Sequence, residues 1–175
     1  IKGDYEKIVK TLLSDTSIKN RTVGVGHISN EDAISLSMVG PFARASNVNY
    51  DVRMFGKGAY GDLSDFEPIL DAQGDCYARI KVRCLEVIQS IDIIKELISK
   101  IPQGDIITKV KGSPADGAQA ANVLEQPRGE CYYYARGNGS KYLERMRMRT
   151  PTSQNLAGMT VALKGCDLAD VNMII

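Results

Sequence analysis

Residues 74–104, "GDCYARIKVRCLEVIQSIDIIKELISKIPQG", decide the fold. Ile80, Cys84, Val87, Ile88, Ile91, Leu97, Ile98 and Ile101 recur at helical spacing, and Pro102 with Gly104 closes the run. The spacing predicts a long helix from about Asp75 to Ile101, with its 80, 84, 88 and 91 stripe buried as the spine of the core. Asp75, Arg79 and Arg83 fall at i, i+4 and i+8 on one side of it, which predicts a salt-bridged face.

Toward the N-terminus, "DYEKIVKTLLSD" places Tyr5, Ile8, Val9, Leu12 and Leu13 on one helical face. In "NRTVGVGHISNEDAISLSMVGP" an extended piece should run into a helix that starts at Ser29, with Asp32 three residues on, and stops at Gly40-Pro41. The third glycine of a dinucleotide-binding GxGxxG is missing after Gly24 and Gly26, which removes that reading. Residues 41–74 are irregular and rich in Gly, Asp and aromatic side chains, as functional loops often are.

Toward the C-terminus, residues 105–121 read as a polar linker. The period then changes, because "ECYYYAR" and "YLERMRMR" flank the turn "GNGS" and predict an antiparallel hairpin from Cys131 to Arg149. On its second strand Arg145, Arg147 and Arg149 share one face and Met146 and Met148 the other. The arginine row is either a solvated face or a contact for an acidic partner. The whole is α+β, mainly helical with a long central helix and a small hairpin. It reads as one domain over 1–175, helical over 1–104, with a linker over 105–121 and the hairpin with short helices over 122–175.

Composition excludes several classes of function. With 22 Lys plus Arg against 21 Asp plus Glu, the formal charge of +1 supplies no general field for nucleic acid or an anionic membrane. Cys76, Cys84, Cys131 and Cys166 form no CxxC pair, so they read as reduced thiols and not as metal ligands. No apolar run is long enough to span a bilayer. The chain starts at Ile1 and stops within the apolar pattern "LADVNMII", as a segment of something longer would. His27, the single histidine, has no second ligand near it in sequence and reads as structural.

The four residues "PRGE", 127–130, suit either an ordinary surface turn or a site. Proline fixes the backbone, glycine lets the main chain come close, and arginine offers a planar fork of donors to an anion or polar ligand. Glu125 and Glu130 flank it as candidate proton-relay carboxylates.

"RTVGVGHIS", "VGPFARASNVNYDVR", the 74–104 helix, "EQPRGECYYY", "RTPTSQN" and "LKGCDLADVNMII" follow one another in an order that resembles the large subunit of the energy-converting, membrane-associated [NiFe] hydrogenases, including the formate hydrogenlyase type. The quinone-proximal peripheral-arm subunit of respiratory complex I looks similar too. The resemblance implies a hydrogenase large-subunit-like fold and a [NiFe] centre in the full-length parent. Arg128, with Pro127 holding it, would donate to a cyanide ligand of the iron beside the open coordination site. Thr152 would donate to the other cyanide, and Pro151 would wall the cavity. A hairpin between them should bring Arg128 and Thr152 to one concave patch.

The nickel thiolates of that family come from two CxxC pairs, and neither is in this sequence. The segment alone should therefore carry no cofactor and no activity. Implied partners are an iron-sulfur small subunit and other subunits of a membrane-bound hydrogenase or complex I-like assembly, which would hold the chain on the cytoplasmic, inner face of the cell membrane. The alternatives are an NADH:quinone oxidoreductase subunit without nickel and a metal-free scaffold. Asn47 stands where the family commonly has glycine, and "FGKGAY" where many relatives carry Pro-Tyr.

Overall fold

The computed structural model describes residues 1–56, 58–63 and 65–174. Lys57, inside the "FGKGAY" departure, lies outside the described residues. The protein is α+β, with α1 (Lys2–Ser14), α2 (Thr16–Thr22), α3 (Asn30–Ser35), α4 (Pro41–Arg44) and α5 (Cys76–Ser99) preceding β1 (Gln119–Gln126), β2 (Gly129–Gly137) and β3 (Leu143–Arg149). The short helices α6 (Pro151–Gln154), α7 (Leu156–Ala162) and α8 (Val171–Ile174) follow. The strands form an antiparallel sheet in the order β1-β2-β3.

The central helix forms where its pattern predicts, and local chemistry fixes its start. The Asp75 carboxylate accepts from Ala78 N at 2.8 Å and from Gly24 N at 2.7 Å, so it caps α5 and ties down the 23–26 loop together. Its burial differs from expectation. Only the first turns, with Cys76, Ala78, Arg79 and Val82, are buried; Ile80, Cys84, Ile88 and Ile91 are half-buried, and Ile98 is 62% exposed. The predicted salt-bridged face is absent as well, since no ion pair among the described residues joins Asp75, Arg79 and Arg83. Arg79 instead donates to Gly26 O, Gly74 O and Cys76 Sγ, and lies 4.6 Å from the centre of the Phe42 ring. Burial pushes the Cys76 thiol up against the pull of Arg79, so it stays protonated.

Around this stub sits the core. Ile28, Ala33, Met38, Phe42, Ala43, Cys76, Ala162 and Ile174 cluster between the 25–45 segment, the head of α5 and the C-terminal helices. Residues 20–22, expected to be extended, complete α2, because Asp15 ends α1 and caps the next helix by accepting from Ile18 N at 2.9 Å. The helix starting at Ser29 ends at Ser35, before the predicted stop at Gly40-Pro41. That pair begins α4 instead, with proline at a position that needs no donor. Asn47 takes φ +60°, the left-handed conformation that asparagine tolerates better than most residues, so it can serve in place of glycine.

The sheet holds a second hairpin that the linker reading over 105–121 missed. β1 begins at Gln119, and Gln126 pairs with Gly129, which makes Pro127-Arg128 the two-residue loop between β1 and β2. Polar small residues at 119–122 gave no strand signal, and their pairing comes from the tyrosine-rich β2 beside them. Gly129, Glu130 and Cys131 are buried, whereas every residue of β3 is exposed. The arginine row divides: Arg149 pairs with Glu130, while Arg145 and Arg147 make no ion pair among the described residues.

At the docked end of the sheet, backbone touches backbone. Gly40 has φ +71°, and a Cβ there would overlap Arg128 O and Gly129 Cα. A Cβ on Gly129 would in turn come to 2.7 Å from Gly40 N. Gly40→Ala should therefore lose roughly 2 to 4 kcal/mol of stability, whereas Gly24→Ala, also at positive φ but with open space around it, should lose only about 1 kcal/mol. Urea melts of the two variants check this, and equal losses would mean that conformation matters and the close contact does not.

Candidate functional site

Arg44 ends the short helix α4 and is 1% exposed. Its guanidinium reaches Glu86 Oε1 on α5 at 2.6 Å, Glu125 Oε1 on β1 at 2.9 Å, Asp51 Oδ2 at 3.0 Å and Tyr50 O at 3.2 Å. Burial works to lower its pKa, and Glu86, Asp51 and Glu125 together outweigh that and raise it. Arg53 grips Asp51 from the other side in a bidentate pair, at 2.9 and 2.7 Å, and lies over the Phe66 ring. Burial raises the pKa of Glu125, with Arg44 pulling the other way.

A second polar group adjoins the first. The Tyr50 hydroxyl donates to Glu130, which also accepts from Arg149, and Arg149 lies 5.9 Å from the Tyr132 ring centre. Burial and the bond to Glu130 push Tyr50 up to about 12, so the phenol is a fixed donor at neutral pH. Glu125 and Glu130 are register partners on β1 and β2, two carboxylates directly opposite one another. Such a pair is unfavourable unless each is neutralised; Arg44 does this for one and Arg149 for the other.

Two cavities open on these groups. One, of about 550 Å³, is lined by Arg44, Arg53, Arg83, Glu125, Pro127 and Arg128 among others. A second, of about 320 Å³, has an apolar wall including Ile34, Met38 and Val48, with Tyr50, Glu130 and Arg149 at its polar side. Arg128 and Pro127 thus line the first cavity at the hairpin tip. Pro151 is buried and Thr152 exposed in the first turn of α6, and neither lines either cavity.

Arg128 and Thr152 thus do not share one of these two cavities as the hairpin argument expected; their segments are linked through residues 39 and 40. Asn155 accepts from Val39 N at 2.9 Å and donates to Val39 O at 3.0 Å, while Gly40 lies against Arg128 O. The Gly40 contact is backbone on backbone and the Val39 contact is made by the Asn155 side-chain amide, and no hydrogen bond joins the Arg128 and Thr152 side chains among the described residues. His27 is exposed. Among the described residues no three or more His, Cys, Asp or Glu side chains gather to hold a metal, and all four cysteines are free. The thiols of this chain therefore do not fit the ligand set of a nickel-iron centre.

Sequence reasoning gave no site role to Arg44 and Tyr50, and placed Arg83 on a salt-bridged face instead of at a cavity. The available signal for Arg44 was a charged residue inside "GPFARAS", a stretch otherwise small and apolar enough to be buried.

Arg44→Met should cost about 3 to 5 kcal/mol at pH 7, because the buried Asp51 and the half-buried Glu86 and Glu125 lose their shared cation. Glu125 already has a folded-state pKa above its unfolded value, and removing Arg44 raises it further. A raised carboxyl pKa favours the folded state below the unfolded value and loses that advantage as pH rises through the folded one. The deficit of Arg44→Met should thus shrink as pH falls from 7 toward 5. Urea melts across that range measure it, and a constant deficit would show that packing, not charge, carries the loss.

Comparison with known proteins places these motifs in one family. The family model described as "Respiratory-chain NADH dehydrogenase, 49 Kd subunit" matches residues 1–115 and 108–175. The chain is 34% identical over 171 residues to a carbon monoxide-induced hydrogenase of Rhodospirillum rubrum, covering 97% of this chain and 47% of that one. It is 34% identical over 176 residues to an F(420)H(2) dehydrogenase subunit of Methanosarcina mazei, with 96% and 46% covered. It is 33% identical over 196 residues to an NADH-quinone oxidoreductase subunit of Rhizobium etli, with 96% and 48% covered. The chain spans about half the length of these relatives. With its motifs in order and its whole length matched, the chain belongs to the family of the respiratory-chain NADH dehydrogenase 49 kDa subunit, whose relatives include hydrogenase and dehydrogenase subunits.

Proposed function

We propose that this chain is part of the large subunit of a membrane-associated, energy-converting [NiFe] hydrogenase complex, of hydrogenase large-subunit-like fold. The observation that carries the reading is the placement of Arg128. A two-residue hairpin loop presents it at a cavity, a glycine-glycine contact fixes its backbone, and no carboxylate among the described residues neutralises it. Arginine in such a position is a preorganised cation, always protonated, with a planar fork of donors. In this proposal Arg128 would donate to a [NiFe] centre bound beside the hairpin tip, with Pro127 restraining it and Thr152 and Pro151 on the neighbouring segment. The centre supplies the redox chemistry; the thiolates that hold it belong to CxxC pairs outside this sequence, and the four cysteines here take no part.

The partners in this reading are an iron-sulfur small subunit and further subunits of the complex, and they hold the chain at the inner face of the membrane. None of the described helices is long and apolar enough to cross one. A second reading has equal support from the relatives, two of the three named above being a dehydrogenase and a quinone oxidoreductase subunit. There the parent has no nickel and belongs to a complex I type enzyme. Four CxxC cysteines in the parent favour the first reading, and their absence favours the second or a metal-free scaffold.

In the parent loaded with its metals, Arg128→Lys should fold and bind nickel yet lose about 100- to 1,000-fold in turnover, the typical effect of removing one preorganised donor. Thr152→Val should lose only about fivefold to tenfold, since one neutral hydroxyl bond contributes roughly 1 kcal/mol. Hydrogen-deuterium exchange activity per bound nickel is the measurement. Near-parental activity in Arg128→Lys would reduce the arginine to a turn residue.

A further inference from the structure

Four arginines line the 550 Å³ cavity, and they fall into two kinds. Arg44 and Arg53 are locked onto Asp51, Glu86 and Glu125. Arg83, on α5, and Arg128, at the hairpin tip, make neither an ion pair nor a side-chain hydrogen bond among the described residues. The nearby carboxylates are already engaged. Glu86 takes Arg44 Nε, while Glu125 takes Arg44 Nη1 on one oxygen and Val52 N at 3.3 Å on the other.

Charge balance sharpens the contrast. Arg44 and Arg53 against Asp51, Glu86 and Glu125 leave one negative charge, which a single further cation would neutralise. The cavity supplies two. Both side chains are exposed at the mouth of the cavity, and partial desolvation with the charge of Arg128 lowers the Arg83 guanidinium against the pull of Glu86. Within a recess, an anion between them removes that repulsion, and two guanidinium forks match the paired oxygens of a carboxylate or phosphate. Tyr60, also on the lining, has a hydroxyl without a partner among the described residues and can add a third donor.

We propose that this cavity binds a small oxyanion, a carboxylate or phosphate, held between Arg83 and Arg128. The site needs no metal. It gives Arg83 a role that the hydrogenase reading does not, and it shares Arg128 with that reading, while its test reads anion binding and not hydrogen turnover.

The test uses the 175-residue chain with inorganic phosphate or acetate as probe, at an ionic strength kept constant with chloride. Calorimetry gives the affinity, and the Nε–H signals of the arginines in nitrogen-15 NMR give the location. Saturable binding of either probe, with the Arg83 and Arg128 signals moving together, is the expected result. Arg128→Gln and Arg83→Gln should each weaken binding by about tenfold or more, whereas the Arg145→Gln, Arg147→Gln double variant should bind as the parent does. Arg83→Lys, which keeps the charge on the helix, guards against a folding defect in Arg83→Gln and should bind with intermediate affinity. No saturable binding of either probe, or parental affinity when both Arg83 and Arg128 are replaced by glutamine, would overturn the proposal. Neither outcome bears on nickel or hydrogen turnover.

Discussion

One buried guanidinium organises the molecule. Arg44 joins the helix α5 through Glu86, the strand β1 through Glu125 and the irregular 50–56 segment through Asp51 and Tyr50 O. These elements share little apolar surface, since the central helix is buried only over its first turns, and most of β1 and all of β3 are exposed. A buried ion cluster is a weak source of net stability, because desolvation opposes what the Coulomb attraction gains. What it supplies here is position. Three carboxylates converging on one planar cation admit few arrangements, so the register of β1 against α5 is set by charge geometry where apolar contacts are few.

The glycine contact acts at the next level. With Arg44 holding β1, the hairpin loop falls onto Gly40, and only glycine on both sides lets the two main chains come together. Asn155 closes the same corner by bonding both polar groups of Val39. The segments 39–41, 127–129 and 150–155, far apart in sequence, meet there, the first two backbone on backbone and the third through the Asn155 side chain. Arg128 is therefore presented by a rigid corner, while its side chain is left to the cavity.

How much of this was legible in the sequence follows the range of the forces involved. The long helix, its start at Asp75 and the β2–β3 hairpin were readable, because local periodicity and turn residues determine them. The extent of α5 burial was not, since isoleucines at helical spacing mark an apolar face without saying what covers it. The start of β1 fell in the linker reading and its strand character went unseen, for "QAANVLEQ" carries little strand propensity and forms by pairing with β2. At the candidate site the sequence pointed to Arg128 and to the carboxylates Glu125 and Glu130. It could not show that one carboxylate binds Arg44 and the other Tyr50 and Arg149, because those partners are 19 to 81 positions away.

The two carboxylates bear on what such a site can do. Glu125 and Glu130 sit opposite each other on adjacent strands, yet each is tied to a different cavity, one through Arg44 and one through Tyr50 and Arg149. Burial raises Glu125 while Arg44 restrains it, so its proton affinity depends on how fully that cation is shared with Glu86 and Asp51. An anion bound at Arg83 and Arg128 would add negative potential at the same wall of the cavity and raise Glu125 further. In this arrangement the charge state of the cavity and the protonation of the hairpin carboxylate are linked, so anion binding should draw a proton toward β1 as it neutralises the two free arginines.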